Sequence, residues 1–587
     1  MTGAEYIAAF LALHGVERVH CLTGGACAVM IDAIGRQDGI DYICHQHEQS
    51  AAMAADAVWR VAGRMGVAMA TSGPGATNLI TGIACAWYDS IPAFYITGQV
   101  NMRESAAYRE VRVRQRGFQD TRIVEMVAPV TKYAVQIDHA DQLPAELAKA
   151  WAIALDGRMG PVLIDVPVNV QFQELSGPPS LALPAAVEVP PPAPVDEARA
   201  AVQAFLDGAE RPLVLFGAGV GLGGGALALT QWLGRHHLPF VASWNAMAHF
   251  DHDSPDYVGG IGVYGNRGAN FVLQNADRVL VLGSRLDNRQ RTGNTRNFVP
   301  GGKVHVVDVD ENELAKYAGD GYGTTHLDLG HLPALLEGLS PPPLSAPWLD
   351  YVAEMKGRFF GQDISTFARR NNTLSPYQVV QRLNLSVAED AVVVADTGAT
   401  LCWLFQMFHR RRHALFTAGG HSPMGYAVPA AIGSALEQPG RKVVAVIGDG
   451  GFQLNIQELQ TIAHYGLDIT IVVFNNNGYG IIRQFQDSYC GSRHEASGRG
   501  YSSPDFGKVA QAYGLDHVRV EQLEQITPEL FARPGARVIE VVLAENTLIE
   551  PKWEVGRPIN DQFPYMDDAD WHACNRFVAF ERYRPQG

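Results

Sequence analysis

An aspartate and an asparagine 27 positions apart, Asp449 and Asn476, are the residues in this chain best placed to do chemistry. Asp449 sits in Gly448-Asp449-Gly450-Gly451, directly after the apolar run Val443 to Ile447. Asn476 closes a second such run, Ile469 to Phe474. Both runs read as buried strands by length and Val/Ile content, and Ile456 to Ala463 between them carries apolar residues at helical spacing. The unit is strand, turn, helix, strand, with both side chains at the carboxyl ends of neighbouring parallel strands. That edge is where open α/β sheets bind ligands. A carboxylate, an amide oxygen and the nearby carbonyl of Gly478 are hard oxygen donors suited to Mg²⁺, which keeps its other positions for water and phosphate oxygens. The glycines let the backbone come close to a diphosphate. Gly-Asp-Gly alone is a common turn. The strand-flanked pair at this separation is far more specific.

The elements that must hold these residues recur along the chain. Three blocks, roughly 1–178, 190–338 and 372–546, each alternate short Val/Ile-rich runs with longer helical patterns, as in Val162 to Val166, Val304 to Val309 and Arg537 to Val542. Repeated β-α alternation implies the α/β class, with three doubly wound parallel-sheet domains. Two Pro-rich seams, Leu181 to Pro194 and Leu339 to Pro343, read as extended linkers. A tail over 547–587, rich in Pro, Trp and Asp, reads as a wrapping segment or lid.

The length of 587 residues fits about three to four domains. Hydrophobic content of 47% and charged content of 18% are ordinary for a globular protein. Net charge is −15 and there is no basic block, which argues against a nucleic-acid partner. No apolar stretch is long enough for a membrane span, and the N-terminus lacks a secretion signal. The seven cysteines are odd in number, scattered and without a Cys-x-x-Cys pair, which fits a reducing cytoplasm.

Further motifs complete the pattern. Glu48, in His45-Gln46-His47-Glu48, opens an Ala-rich helix, where a carboxylate is a favourable dipole partner. Thr71-Ser72-Gly73-Pro74-Gly75-Ala76-Thr77-Asn78 reads as a tight turn between strand and helix, and Gly419-Gly420-His421-Ser422-Pro423-Met424 precedes the helix Val428 to Leu436. Thr23-Gly24-Gly25 and Gly117-Phe118-Gln119 lie in the first block. The second block carries Gly217-Ala218-Gly219, Gly262-Val263-Tyr264-Gly265, Gly283-Ser284-Arg285-Leu286-Asp287-Asn288-Arg289 and Val307-Asp308. With these motifs, about residues 1–545 resemble the acetolactate synthase group of thiamin diphosphate enzymes. The tail, with Pro551-Lys552-Trp553 and Gly556-Arg557-Pro558, is closer to a branch found with surface-sugar biosynthesis genes.

The resemblance implies three cofactors: thiamin diphosphate, Mg²⁺ and FAD. Glu48 would hydrogen-bond the cofactor's aminopyrimidine and so promote loss of the thiazolium C2 proton, leaving the hard chemistry to the cofactor. Thr71, Pro74 and Asn78 would lie at the pyrimidine, Met424 under the bend of the cofactor, and Gly398, Ser422, Gly448, Gly450 and Gly451 along it toward the diphosphate. Asp449, Asn476 and Gly478 would hold the metal. Gly25, Phe118 and Gln119 would line the catalytic cavity, with Gly25 offering a backbone donor to developing oxyanion character. Gly217, Gly219, Gly262, Arg285, Asp287, Arg289 and Asp308 would serve FAD. Val263, Arg289, Ile481 and Phe485 would form the acceptor pocket, Arg289 being suited to a carboxylate. The blocks become pyrimidine-binding, FAD-binding and diphosphate-binding domains of a homodimer or homotetramer with active sites at the interface.

Departures concentrate on the second substrate. Phe485 stands where the family usually has tryptophan, Val263 replaces a methionine and Val168 a frequent lysine. Ala399-Thr400 replaces the usual Gln-His near the diphosphate. The expected activity is decarboxylation of pyruvate with transfer of the acetyl-anion equivalent to a carbonyl acceptor, a ketone such as a nucleotide-linked keto sugar. Acetolactate synthesis from two pyruvates is the alternative, with a flavin-dependent pyruvate oxidase and a cofactor-free subunit behind it.

Overall fold

A computed structural model describes residues 1–105, 113–177, 195–359, 374–579 and 582. The Pro-rich seam at 181–194 lies outside the described residues, whereas 339–343 is extended. Three six-stranded parallel sheets follow one another, each flanked by helices. The first holds β1 (Arg18–Leu22), β2 (Asp41–Cys44), β3 (Gly66–Ala70), β4 (Ala93–Gln99), β5 (Tyr133–Gln136) and β6 (Val162–Pro167), in spatial order 2-1-3-4-6-5. The second holds β7 (Pro212–Phe216), β8 (Phe240–Ala242), β9 (Tyr257–Gly260), β10 (Arg278–Leu282), β11 (Lys303–Asp308) and β12 (Gly323–His326), in order 12-11-10-7-8-9. The third holds β13 (Val392–Ala395), β14 (Ala414–Phe416), β15 (Val443–Gly448), β16 (Ile469–Asn475), β17 (Asp516–Val520) and β18 (Arg537–Val542), in order 14-13-15-16-18-17.

Renumbered within each sheet, the first and third share one order, 2-1-3-4-6-5. The second is 3-2-1-4-5-6, the dinucleotide-binding order. The winding reverses between the first and third strands in the outer sheets, where the sixth strand also turns back between the fourth and fifth, and between the first and fourth strands in the middle one. A crevice opens there, outside the carboxyl ends of the strands. The central strands are buried on both faces, as their continuous apolar runs require.

The first and third domains pack through helix α1 (Glu48–Ala62) and helix α2 (Ala427–Glu437). Small residues allow it: Ala51, Ala54 and Ala55 are fully buried, and a side chain at Gly433 would run into the Ala54 carbonyl. Helix α3 (Gly480–Tyr489) follows the turn after β16. The described part of the tail leaves the third domain and runs along the middle one. It forms a short antiparallel pair, β19 (Lys552–Trp553) with β20 (Gln562–Phe563), and helix α4 (Asp568–Cys574). Trp571 and Cys574 of α4 join the core around Phe271 and Tyr351. No helix among the described residues is long and apolar enough to cross a membrane, and all seven cysteines are free thiols.

Candidate active site

The crevice of the first sheet lies between β1 and β3, and its two turns touch. Thr71, leaving β3, accepts a hydrogen bond from the Ala26 amide at 3.1 Å, just beyond Gly24-Gly25 of the β1 turn. Glu48 is carried to the same place because it opens α1 immediately after β2, with the His47 ring capping the helix by accepting from the Gln49 amide at 3.1 Å. The Glu48 side chain is buried, Asn78 donates to its Oε2 at 3.0 Å, and Gly75 presses against its Oε1 and the Thr71 methyl. Pro74 opens the short helix that ends at Asn78. Gln119, held at φ 64°, packs on Gly73 of the same turn. Phe118 beside it is 86% exposed, and Gly25 is exposed too. One buried carboxylate with an oriented neighbour therefore faces a cleft open on the protein surface.

The third sheet repeats the arrangement between β13 and β15. Asp449 leaves β15, is buried, and accepts the Gly478 amide at 3.0 Å, so the turn after β16 is tied to the turn after β15. Burial pushes the Asp449 carboxyl up to about 6, a cost that a cation beside it would remove. Asn476 is buried, and its amide nitrogen has no partner among the described residues. An amide that turns over exchanges nitrogen for oxygen, so this end can present an acceptor. The Gly478 carbonyl accepts from the Gly480 amide at 3.0 Å and retains a second lone pair. A carboxylate, an amide and a carbonyl on adjacent turns fit a hard dication such as Mg²⁺. Among the described residues there is no cluster of three His, Cys, Asp or Glu side chains that could hold a metal. Ligation at this edge would therefore draw on amide and backbone oxygens.

Around that set lie the remaining third-domain candidates. Met424 reaches the Gly450 backbone, and Gly398, at φ 79°, lies beside Ile481. Ser422, at φ 54°, and Thr397 share a 2.5 Å hydroxyl pair. The Thr400 hydroxyl faces Gly448, so a hydroxyl stands at the crevice where the family pattern has histidine. Asp396 fixes the Met424 turn by accepting the Gly425 and Ala427 amides, each at 3.1 Å, and burial lifts its carboxyl to about 6. Gly451 packs directly on Asp396.

A cavity of about 380 Å³ opens where all three domains meet. The middle sheet's crevice, between β7 and β10, forms one wall through Gly219, Arg285, Asp287, Arg289 and Asp308. Gly217 lies just behind, hydrogen-bonded to the end of β10. Burial raises the Asp308 carboxyl, and Asp287 caps a short helix by accepting the Arg289 amide at 2.8 Å. The first domain contributes Tyr88, Asp89 and Arg158, and the third contributes Gly419 and Gly420. Gly262 and Val263 lie against the Arg289 backbone, with Val263 buried and its amide donating to the Arg289 carbonyl at 2.7 Å. The Arg289 guanidinium stacks over Tyr264 at 5.6 Å. On α3, Ile481, Phe485 and Tyr489 follow one another at four-residue spacing on one face. Phe485 is 49% exposed, with its ring 4.8 Å from Tyr489. The tail adds a wall here: the Trp553 amide donates to the Val263 carbonyl and the Val555 amide to the Tyr489 hydroxyl, both at 2.8 Å.

Three matches to thiamine pyrophosphate enzyme families cover most of this framework: the N-terminal TPP-binding domain over 1–126, the central domain over 199–323 and the C-terminal TPP-binding domain over 396–541. The chain is 32% identical to an acetolactate synthase large subunit of Parasynechococcus marenigrum, with 100% of this chain and 96% of the relative aligned. It is 31% identical to the isozyme 2 large subunit of Escherichia coli (95% and 98% covered) and 30% identical to the Lactococcus lactis large subunit (94% and 95%). The chain belongs to the acetolactate-synthase-like thiamin diphosphate enzymes. In this enzyme, Glu48 falls within the N-terminal TPP-binding match and Asp449, Asn476 and Gly478 within the C-terminal one.

The residues that hold this thiamin diphosphate enzyme together at the domain junction escaped sequence reasoning. Arg60 is buried and pairs with Asp56 at 2.8 Å and Asp89 at 2.9 Å, and it also donates to the Thr417 carbonyl at 3.0 Å. Asp89 accepts the Gly419 amide at 2.9 Å, the Gly420 amide at 2.7 Å and Asn245 Nδ2 at 3.3 Å. One carboxylate thus links three domains. The signal available was the Asp56/Arg60 pair, an i,i+4 ion pair in the part of the helix after Ser50 that is otherwise alanine and apolar residues.

Proposed function

We propose that this enzyme decarboxylates pyruvate and transfers the acetyl-anion equivalent to a ketone, such as the keto group of a nucleotide-linked sugar. The observation that carries the carboligase reading is the pair of matching crevices, one ending in the Asn78-oriented Glu48 and the other in Asp449, Asn476 and Gly478. Bound between two such halves, thiamin diphosphate supplies the electron sink that lets a 2-oxo acid lose CO₂ and pass on its acyl carbon. Glu48 holds and returns a proton at the aminopyrimidine. Asn78 orients Glu48, and Met424 would pack against the bound cofactor. Asp449, Asn476 and Gly478 hold Mg²⁺ against the diphosphate, and the Gly25 amide and Gln119 address the substrate oxygen. Phe118, Leu454 and Ile482 are exposed apolar side chains, as expected if a second copy completes each site in a homodimer or homotetramer.

The middle sheet's strand order and its cavity at the switch point support FAD as the third cofactor, held by Arg285, Asp287, Arg289 and Asp308 beside Gly217, Gly219 and Gly262. The half-exposed Phe485, with Ile481 and Val263 on the acceptor side, supports a ketone larger than a second 2-oxo acid. Arg289 favours acetolactate formation from two pyruvates as the second reading, since an exposed guanidinium suits a carboxylate. Mass analysis of products from pyruvate alone and with a panel of cyclic and sugar-derived ketones tests both. Branched ketone adducts support the proposal; acetolactate as the sole product returns the enzyme to the second reading, and acetate with bleached flavin to an oxidase.

A further inference from the structure

Arg483 lies on α3, and no cofactor role above uses it. It is about nine-tenths buried directly under the turn Asn476-Asn477-Gly478. Its Nη2 donates to the Asn477 carbonyl at 2.8 Å, and its Nη1 donates to the Glu545 carbonyl at 3.0 Å and to the Asn476 carbonyl at 3.4 Å. The guanidinium carbon fills the space beside the Gly478 α-carbon, where an added side chain would lie 2.4 Å from it. The turn is therefore gripped from both sides: the Asp449 carboxylate accepts the Gly478 amide at 3.0 Å, and the guanidinium plane takes the carbonyls behind it. Asn477 is at φ 50°, a left-handed conformation that asparagine tolerates better than other residues with a side chain. A planar fork fixes several carbonyls in one plane at once; an ammonium cannot.

We infer that Arg483 is the positioning residue of the metal site, setting the turn on which the Asn476 amide and the Gly478 carbonyl reach the cation. The inference rests on the metal reading above and adds the residue that makes that donor set rigid. Mg²⁺ demands near-ideal octahedral geometry whereas Ca²⁺ tolerates irregular geometry, so loosening the turn should cost Mg²⁺ and Mn²⁺ more than Ca²⁺. The test titrates cofactor-free protein with Mn²⁺ at saturating thiamin diphosphate, reading free Mn²⁺ by electron paramagnetic resonance, with Mg²⁺ and Ca²⁺ as competitors. Arg483→Met should weaken Mn²⁺ by about ten- to a hundredfold, the usual effect of removing a group that orients metal ligands. Arg483→Lys should weaken it less, and both should narrow the preference for Mg²⁺ over Ca²⁺. A purely structural role would leave that preference unmoved. Asp449→Ala separates the two levels. Parent-like Mn²⁺ binding in Arg483→Met with binding lost in Asp449→Ala overturns the inference and leaves the metal reading standing. Parent-like binding in Asp449→Ala removes the metal reading and the inference with it. If circular dichroism shows that Arg483→Met does not fold, Arg483→Lys decides on the same two criteria.

Discussion

Asp89→Ala removes the carboxylate on which the three domains converge. In the parent, that carboxylate takes the Arg60 guanidinium at 2.9 Å, the Gly419 and Gly420 amides at 2.9 and 2.7 Å, and Asn245 at 3.3 Å. Removing one partner of a buried ion pair costs roughly 3–5 kcal/mol. Arg60 keeps Asp56, at 2.8 Å, so the lower end, about 3 kcal/mol, is expected. For domains of this size one kcal/mol is worth roughly 2–4 °C, so melting should fall by about 6–12 °C. A second loss is specific to function. The two amides released belong to the turn that leads into Ser422 and Met424, so cofactor binding should suffer as well. A tenfold weaker affinity removes about 1.4 kcal/mol of the stabilisation that saturating thiamin diphosphate and Mg²⁺ confer. Thermal melting with and without cofactor, on parent, Asp89→Asn and Asp89→Ala, measures both effects. Asn retains one acceptor oxygen and should fall between the others. An Asp89→Ala protein that melts within about 2 °C of the parent, with its cofactor shift intact, refutes the idea that this junction carries the load.

Three further outcomes are expected. Glu48→Gln keeps fold and cofactor binding, since its amide oxygen still accepts from Asn78, but should cut turnover by about 10²–10⁴-fold in steady-state assays; near-parent turnover removes Glu48 from the chemistry. Phe485→Trp should reduce ligation to bulky ketones about ten- to a hundredfold more than acetolactate formation, because added ring volume costs ~1–3 kcal/mol where space is needed; equal losses in a product-ratio assay would mean Phe485 does not face the acceptor. Burial holds the His252 ring down to about 3, its Nε2 donating to the Met247 carbonyl and its Nδ1 accepting the Arg410 amide, each at 3.0 Å. The unfolded ring binds a proton below about pH 6.5, so this contribution to stability is present above 6.5 and lost as pH falls toward 3, at roughly 1.4 kcal/mol per pH unit. His252→Gln should flatten the acid limb of a stability-against-pH curve, and an unchanged slope would show that another group carries it.

The α/β class and the turns that carry Asp449 and Asn476 were legible because they are local. Strand-length apolar runs mark β15 and β16, and the positions of Asp449 and Asn476 follow from where those runs end. The long-range parts were not legible. No periodicity says that the turn after β15 and the turn after β16 exchange a hydrogen bond, or that Asp89 reaches Gly419 across 330 positions. Val263 shows the same limit from the other side. Its replacement of a larger residue reads in the sequence as a wider pocket, whereas the structure places it buried, its carbonyl taken by the Trp553 amide of the tail. The tail's lack of periodicity has a cause as well. It contributes Trp571 and Cys574 to a core already formed by the middle domain, so it needs no repeating pattern of its own.

The shared strand order of the first and third sheets explains why the two halves of the chemistry differ in how tightly they are specified. Each sheet offers one crevice between its first and third strands, and the residues there are fixed by strands buried on both faces. Asp449 and Asn476 follow such strands, β15 and β16, whereas Glu48 follows the half-exposed edge strand β2 and is fixed by its helix and by Asn78. The proposed acceptor side has no such frame. It is assembled from α3, whose Phe485 and Tyr489 are half exposed, and from tail residues held by single backbone bonds at Val263 and Tyr489. In this chain, Phe485 is half exposed on α3, while Asp449 and Asn476 are buried at the ends of β15 and β16.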